Sequence, residues 1–417
     1  MIQPRQRLRI KWFIEFQYSS RNHHGAILRF VNYSSEMLAR GHQVSFVISC
    51  RSADADCSLE WFEQLKQTKQ ISSYFFIGEP LPGGWHTLLG SLDRSAVSEG
   101  PRQRDHLVII EQARAIVREH PADLFIVSSR RLFFLLKPLD REAPWVIDFG
   151  DSECLYFYRQ ARHLLGEGKP GAALYSLRRM VGEAIIEAHY GRISTANLAV
   201  SAIDSQVIAR LSGSAAKTVT VPNGVRTGPE SPSPQKIANQ IVFSGNMDFP
   251  PNYEAALWLI DRVLPILVKE EPKVRLVIAG PNPIQELLKR SSERVRIVGF
   301  IEDLYALIRS SALYVAPMVS GSGFKNKVVE ALLCGTFVVS TPIGVEFLAP
   351  QFRELVPVAS NPPEFAAQVL ACLRNPAALE EPLRMLHNLV LQEFSWTAAT
   401  DRLLEALFAA AGKHPEV

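Results

Sequence analysis

Two lysines, a glutamate and a pair of glycines form the most chemically suggestive group in the chain. Gly321 and Gly323 lie in the stretch PMVSGSGFKNKVVEALLCGTFVVSTPIGVE, residues 317–346, with Lys325, Lys327 and Glu330 following them. Glycines let a backbone approach a ligand closely. A helical pattern over 325–333 points its unpaired first-turn N–H groups at the same place, and two ammonium groups there add full charge to the helix's partial one. Together they suit a diphosphate. Glu330 follows Lys327 by three residues and is an acceptor-only carboxylate within reach of the same pocket, suited to paired hydroxyls such as those of a ribose. An isolated GSGFKNK fits a lysine-rich surface helix equally well. The setting favours a site: an apolar run at 337–339 reads as a buried strand, and Pro342 and Gly344 turn the chain after it, giving a strand–loop–helix–strand order.

The elements that would position such a site come in two sets. At 417 residues the chain is long enough for two domains, since single cores stop growing near roughly 250–300 residues. Apolar residues make up 47% and charged residues 21%, as in ordinary globular proteins. A net charge of +3 gives no footprint for nucleic acid. Five scattered cysteines, at 50, 57, 154, 334 and 372, have neither zinc spacing nor a disulfide framework and favour a reducing cytoplasm. The N-terminal stretch reads as a strand with no small-residue cleavage site after it, so a signal peptide is not expected. No run of about 20 apolar residues is present to span a bilayer.

In the first half, strands are expected over 9–16, 44–48, 73–77, 123–127, 145–149, 193–201 and 219–222. Helices over 26–40 and 103–119 and a split helical region over 155–190 lie between them. This βαβ alternation implies a parallel sheet. The Asp54-x-Asp56 pair sits in the polar run SADADCS and reads as a turn, and no metal is expected. Residues 84–105 read as a long loop. In a doubly wound sheet the loops at the carboxyl ends of strands face the ligand, so Asp148, in DFGDSE, and Ser129 and Arg130, after the 123–127 strand, become candidates for an acceptor hydroxyl or a phosphate; helix capping by the serines and by Asp151 or Ser152 is the competing reading. His24 and Gly25, after the first strand, are further candidates, with a solvated loop histidine as the alternative. Residues 155–190 carry Arg159, Arg162, Lys169, Arg178 and Arg179 beside an apolar stripe of Leu174, Leu177, Val181, Ala184 and Ile185. That stripe fits a face packed on its own domain or, with the basic residues, an anionic membrane surface. The Pro/Ser-rich run 226–239 reads as a linker. Beyond it, strands are expected over 240–244, 274–280, 295–300 and 313–316, followed after the 317–346 stretch by helices over 361–374, 376–392 and 395–411.

Five separated segments, in order, resemble retaining glycosyltransferases of the two-domain GT-B fold, in the large family 4. They are Gly41-His42-Gln43-Val44, Val221-Pro222-Asn223-Gly224-Val225, SGNMDFPPN at 244–252, Gly299-Phe300-Ile301-Glu302-Asp303, and Glu330-Ala-Leu-Leu-Cys-Gly-Thr-Phe-Val-Val. The GSGFKNK variant is similar to a bacterial exopolysaccharide subgroup. The resemblance implies an α/β fold of two Rossmann-like doubly wound parallel-sheet domains facing a cleft. Residues 1–225 would form an acceptor domain, 226–239 the linker and 240–392 a nucleotide-sugar domain. A C-terminal helix, 393–417, would cross back to the first domain. It also implies roles. Lys327, Glu330 and Lys325 become catalytic, and Gly245, Asn246, Phe300, Ile301, Ser322, Gly323, Phe324 and Asn326 become donor-binding. His24, Gly25, Asp148, Ser129 and Arg130 fall on the acceptor side. Departures are plain as well. Ser322 stands where the family pattern has its first glutamate, Ser128-Ser129-Arg130-Arg131 stands where a histidine is common, and the turn after the 240–244 strand lacks the usual arginine and lysine.

The implied reaction moves a sugar from a UDP- or GDP-sugar to a hydroxyl of a glycan or lipid-linked acceptor, with retention, in exopolysaccharide or surface polysaccharide synthesis. No cofactor and no metal are expected, nor any nucleic-acid partner. The expected place is the cytoplasm or the inner face of its membrane, with peripheral contact through 155–190. A non-catalytic GT-B nucleotide-sugar binder or partner subunit, and a nucleotide-sugar epimerase or hydrolase on the same fold, are the alternatives.

Overall fold

The strand β1 (Arg9–Phe16) is apolar on both faces, and Trp12, Phe13, Ile14 and Phe16 are all buried. A strand reads this way when it sits inside a parallel sheet covered on both sides. The computed structural model describes residues 6–16, 25–50, 55–77, 101–225 and 235–413, and within them β1 pairs in parallel with β2 (Gln43–Cys50) on one side and β4 (Leu124–Val127) on the other. With β3 (Ser73–Phe76), β5 (Trp145–Gly150), β6 (Ala196–Ala199) and β7 (Thr218–Thr220) the sheet has seven parallel strands in the order β3-β2-β1-β4-β5-β6-β7. The order reverses between β1 and β4, which makes that pair of strand ends the switch point of this sheet.

The second sheet follows the same rule with five parallel strands, in the order β10-β9-β8-β11-β12. These are β8 (Ile237–Ser244), β9 (Arg275–Ala279), β10 (Val295–Gly299), β11 (Ser311–Ala316) and β12 (Val338–Ser340). Its switch point lies between β8 and β11. Tyr314 of β11 ties the two together there, since the Ser244 N–H donates to its hydroxyl over 3.2 Å and the two hydroxyls lie 2.9 Å apart.

Two compact units divide the chain. The first holds Met1–Cys154, Val181–Gly224 and Trp396–Val417; the second holds Leu155–Met180 and Val225–Ser395. Within the helical region 155–190, residues 155–180 group with the second unit and 181–190 with the first. Residues 226–234 lie outside the described residues, and β8 already begins at Ile237.

Helices fill the crossovers. In the first unit α1 (Gly25–Ala39) follows β1, and α2 (Ala55–Gln67) follows β2. The latter corrects the turn expected at Asp56, which lies in the opening turn of a helix whose buried Phe62 and Leu65 pack on the sheet; Asp54 lies outside the described residues. Helix α3 (Pro101–Glu119) starts before the expected loop ends. After β5 come α4 (Glu153–Gly166) and α5 (Pro170–Ile193), then α6 (Ala202–Ser212) after β6. The second unit has α7 (Pro250–Trp258), running through a π-turn at Leu259–Val263 into α8 (Leu264–Glu270). Pro265 has no N–H to give the carbonyl four residues back, and Leu264 N–H bonds five residues back to Leu259 O. Then come α9 (Leu304–Ser310), α10 (Asn326–Leu333), α11 (Pro362–Arg374) and α12 (Glu380–Phe394).

The apolar stripe read on 174–185 is not a buried face. Leu174, Val181 and Ile185 are exposed, Leu177 and Ala184 are part-buried, and the buried side chains of α5 are Ala173, Ser176, Glu183, Glu187 and Tyr190. The two glutamates are accepted inside because Arg130 reaches both, and Glu187 also accepts from Ser152 Oγ and the Glu153 N–H at 2.8 and 2.7 Å. Burial pushes the Glu187 carboxyl up to about 7.

The last helix, α13 (Trp396–Ala410), belongs to the first unit. Trp396 meets the Tyr33 ring edge-on at 5.2 Å between centroids, and a side chain at Gly224 would overlap the indole. We expect Gly224→Ala to cost about 1–3 kcal/mol through overpacking, read as a lowered urea midpoint. Adding Trp396→Ala should return part of that loss, since the two positions share one contact.

Candidate functional site

At the switch point of the second sheet two segments meet, the turn after β8 and the glycine loop after β11. Lys327, in the first turn of α10, is part-buried. Its Nζ donates to Asn252 Oδ1 of α7 and lies 4.8 Å from the centre of the Phe243 ring on β8. The Asn252 amide is oriented by its other end, whose Nδ2 donates to Asn246 O over 2.9 Å. Burial, and then the like charge of Lys325, bring the Lys327 ammonium down to about 7. Burial pushes the Glu330 carboxyl up, and Lys327 opposes this. Both groups are thus biased towards neutrality, which leaves a lysine that regains its proton when an anion arrives.

Gly245 is required here because a side chain would not fit beside the Lys327–Asn252 pair. Its N–H is already bonded to Ala279 O at 3.0 Å, so the backbone donor is not free for a phosphate. A Cβ at 245 would lie 2.7 Å from the Asn252 amide and 2.9 Å from Lys327 Nζ. Gly280, at φ +137°, similarly lets the end of β9 pass against the Gly245 carbonyl. Asn246 lies beside the pair, its Oδ1 accepting from Asn282 Nδ2 over 3.2 Å.

Lys325 departs from expectation. It does not stand free beside Lys327; its buried Nζ donates to Ser322 O at 2.6 Å and Gly323 O at 2.9 Å, holding the glycine loop in its bend. Phe324 departs too. Its ring packs between Phe347 and Phe394 at 4.5 and 5.0 Å and belongs to the core. Gly321 and Gly323 have φ of +97° and +78°, which L-residues with side chains rarely adopt. Ser322 Oγ is closed off from solvent and has no hydrogen-bond partner among the described residues. Asn326 opens α10. Phe300, at the end of β10, is exposed and Ile301 part-buried.

Sequence reasoning missed the outer support of this loop. Arg159, from α4, forms two 2.6 Å bonds to the Glu346 carboxylate and a 2.9 Å bond to Gly321 O. Tyr156 stacks on Phe249, and Ser320 Oγ donates to Glu254 Oε2 over 2.5 Å. Glu346 closes the stretch first singled out, but its partner lies 187 residues away, and no local pattern announces it.

The acceptor-side candidates divide differently. His24 lies outside the described residues, and Gly25 is the first residue of α1. Asp148 is buried, and both its oxygens are taken by Arg29, at 2.9 and 3.0 Å. Arg29 also holds Val221 O and Asn223 Oδ1, each at 2.9 Å, and so fixes the Pro222-Asn223-Gly224 turn. Burial alone would lower the guanidinium's pKa; Asp148 more than reverses this, and the group stays charged. Asp148 thus holds Arg29 in place. Ser129 does not cap the following turn; its Oγ donates to Glu15 at 3.2 Å. Arg130 is committed to Glu183 and Glu187.

Residues 238–375 match the family model described as Glycosyl transferases group 1, a span that contains Gly245, Asn252, Lys327 and Glu330. The chain is similar to an uncharacterized 44.6 kDa protein in the cps region of Klebsiella pneumoniae, 29% identical over 150 residues, covering 34% of this chain and 39% of that protein. It is also similar to the phosphatidyl-myo-inositol mannosyltransferase of Mycobacterium leprae, 25% identical over 308 residues, covering 66% of this chain and 78% of that one. Among solved structures, Anabaena HepE in complex with UDP and glucose superposes with a TM-score of 0.65 at 15% identity, covering 96% of this chain and all of HepE. The fold class is therefore GT-B, and the family match lies within the second unit.

Arg159→Ala should leave the Glu346 carboxylate without its guanidinium and loosen the glycine loop. We expect a loss of about 3 kcal/mol, measured as the urea midpoint. Arg159→Lys should recover only part of it, because an ammonium cannot make the paired contact.

Proposed function

We propose that the protein is a retaining glycosyltransferase that moves a sugar from a UDP- or GDP-sugar to a hydroxyl of a glycan or lipid-linked acceptor in surface polysaccharide synthesis. The observation that carries the reading is the Lys327 ammonium, set beside Gly245 at the switch point of a group 1 glycosyltransferase domain. Support for the finer terms comes from the relatives. HepE is solved with UDP and glucose, the Klebsiella relative is named for the cps region, and the mycobacterial relative acts on phosphatidyl-myo-inositol.

The barrier lies in breaking the bond between the anomeric carbon and the diphosphate oxygen, through an oxocarbenium-like state. The departing diphosphate gains charge as that bond lengthens. Lys327 faces this charge, and a cation already in place stabilises it without reorganising. The acceptor oxygen attacks from the face the diphosphate leaves, forms the new bond to the anomeric carbon, and passes its proton to a departing phosphate oxygen. No enzyme nucleophile is used. The charge is met by lysine, so the reading requires neither metal nor cofactor. Glu330 accepts from donor hydroxyls, and the partnerless Ser322 hydroxyl donates to the donor, which meets the usual demand that a buried polar group find a partner. Phe300 and Ile301 lie against the base. The exposed apolar and basic residues of α5 are the surface through which a lipid-linked acceptor's membrane would be approached.

The test is release of nucleoside diphosphate from UDP- and GDP-sugars with and without lipid-linked or oligosaccharide acceptors. Acceptor-dependent release is expected. Lys327→Ala and Glu330→Ala should each lower kcat/KM by about 10²–10³-fold with unfolding midpoints close to the parent's. Tight donor binding without turnover would indicate a binding subunit, and release without acceptor a hydrolase. Parent-like rates in both variants would remove the site assignment.

A further inference from the structure

The lysine at this site is held by an uncharged partner. Its Nζ meets the Asn252 oxygen, the face of the Phe243 ring and the bare backbone of Gly245. The charged groups that act on it are Lys325, from the glycine loop, and Glu330, from its own helix. Asn252 of α7 brings a neutral amide, Phe243 of β8 a ring face, and the turn after β8 the glycine. Asn252 is itself fixed, because its Nδ2 donates to Asn246 O over 2.9 Å. The amide therefore presents its oxygen, and only its oxygen, to the lysine. Gly245 belongs to the same arrangement, as a side chain there would push both the amide and the ammonium aside.

We infer that Asn252 is the positioning residue for Lys327: it aims the ammonium at the diphosphate of the donor while adding no negative charge that would compete with that diphosphate. This rests on the reading of the site as a nucleotide-sugar site. A carboxylate at 252 would hold the lysine more strongly, but it would keep it satisfied and would repel the ligand. An apolar residue would leave the ammonium without an acceptor. The amide gives direction without neutralisation, so the incoming diphosphate supplies the counter-charge.

The consequence is a pH dependence with a definite sign. The Lys327 ammonium is brought down to about 7, so the unliganded protein loses this proton as pH rises through neutrality. Donor binding above that point must take a proton up, and affinity falls with rising pH by up to about tenfold per unit. The experiment is calorimetric titration with UDP-glucose and GDP-mannose over about pH 6 to 9, a range in which the diphosphate ester keeps a fixed charge, on the parent, Asn252→Asp, Asn252→Ser and Lys327→Ala. In Asn252→Asp, nearly the same size as the parent, the midpoint should move up by more than one pH unit while the affinity at low pH falls at least tenfold. In Asn252→Ser, which draws the acceptor back from the lysine without adding bulk, the midpoint should move down and the affinity at neutral pH should fall about tenfold. Lys327→Ala should flatten the profile. A parent profile that Lys327→Ala flattens but neither Asn252 variant moves would overturn the inference and leave the reading of the site intact. Absence of donor binding in the parent, or a Lys327→Ala profile identical to the parent's, would remove that reading and the inference with it.

Discussion

An ammonium group set among neutral neighbours is the constraint on which the second unit's site depends. In water Lys327 would be charged well beyond neutral pH; here an amide, a ring face and a glycine backbone surround it. Several features follow from that one placement. Gly245 must lack a side chain, and Asn252 must be turned by Asn246 so that its oxygen faces inward. Gly280 must let β9 pass close behind Gly245. The end of β8 must be fixed to β11, which Tyr314 does through Ser244. Each is a local compromise in a sheet otherwise made of unbroken apolar strands, and such compromises gather where a fold is used rather than merely held together.

The glycine loop is built on a different principle. Its carbonyls are bound by cations of the protein: Lys325 takes those of Ser322 and Gly323, and Arg159 takes that of Gly321. Cations on the carbonyl side hold the peptide planes so that their opposite edges, the N–H groups, turn the other way. A lysine that looks like a second ligand-binding charge thus does its work through the backbone. Its charge still matters, since it helps depress Lys327. The two lysines are coupled but not equivalent.

The strand ladder was legible in the chain because parallel strands buried on both faces leave continuous apolar runs, and β1 is recognisable from RIKWFIEF alone. The glycine loop and α10 were legible because glycine, lysine and a short apolar strand follow one another in order. What could not be read shares one cause, dependence on partners far away in sequence. Asn252 and Lys327 are 75 residues apart, Arg29 and Asp148 119, and Arg159 and Glu346 187. A carboxylate at the end of a strand looks like a ligand group until the arginine that claims it is known. Periodicity failed on α5 in an instructive way. It shows that a helix has two faces but not which one is inside, and here Arg130 makes the glutamate face the buried one.

The departures from the family pattern bear on one another in the same physical terms. The turn after β8 lacks the arginine and lysine that would ordinarily supply positive charge there, and it carries Asn246, Met247 and Asn252. Placing the cation on α10 instead moves the charge to a helix N-terminus, where the dipole already favours an anion. The turn is then free to become the lysine's support, and a support works best when it is short, rigid and uncharged. An asparagine in the first turn of a helix opened by two prolines has all three properties. A lysine returned to that turn would face Lys327 across a gap sized for an amide, and the repulsion would drive one of the two out of the site. The missing cations after β8 and the part-buried lysine on α10 are therefore two sides of a single choice about where the positive charge stands.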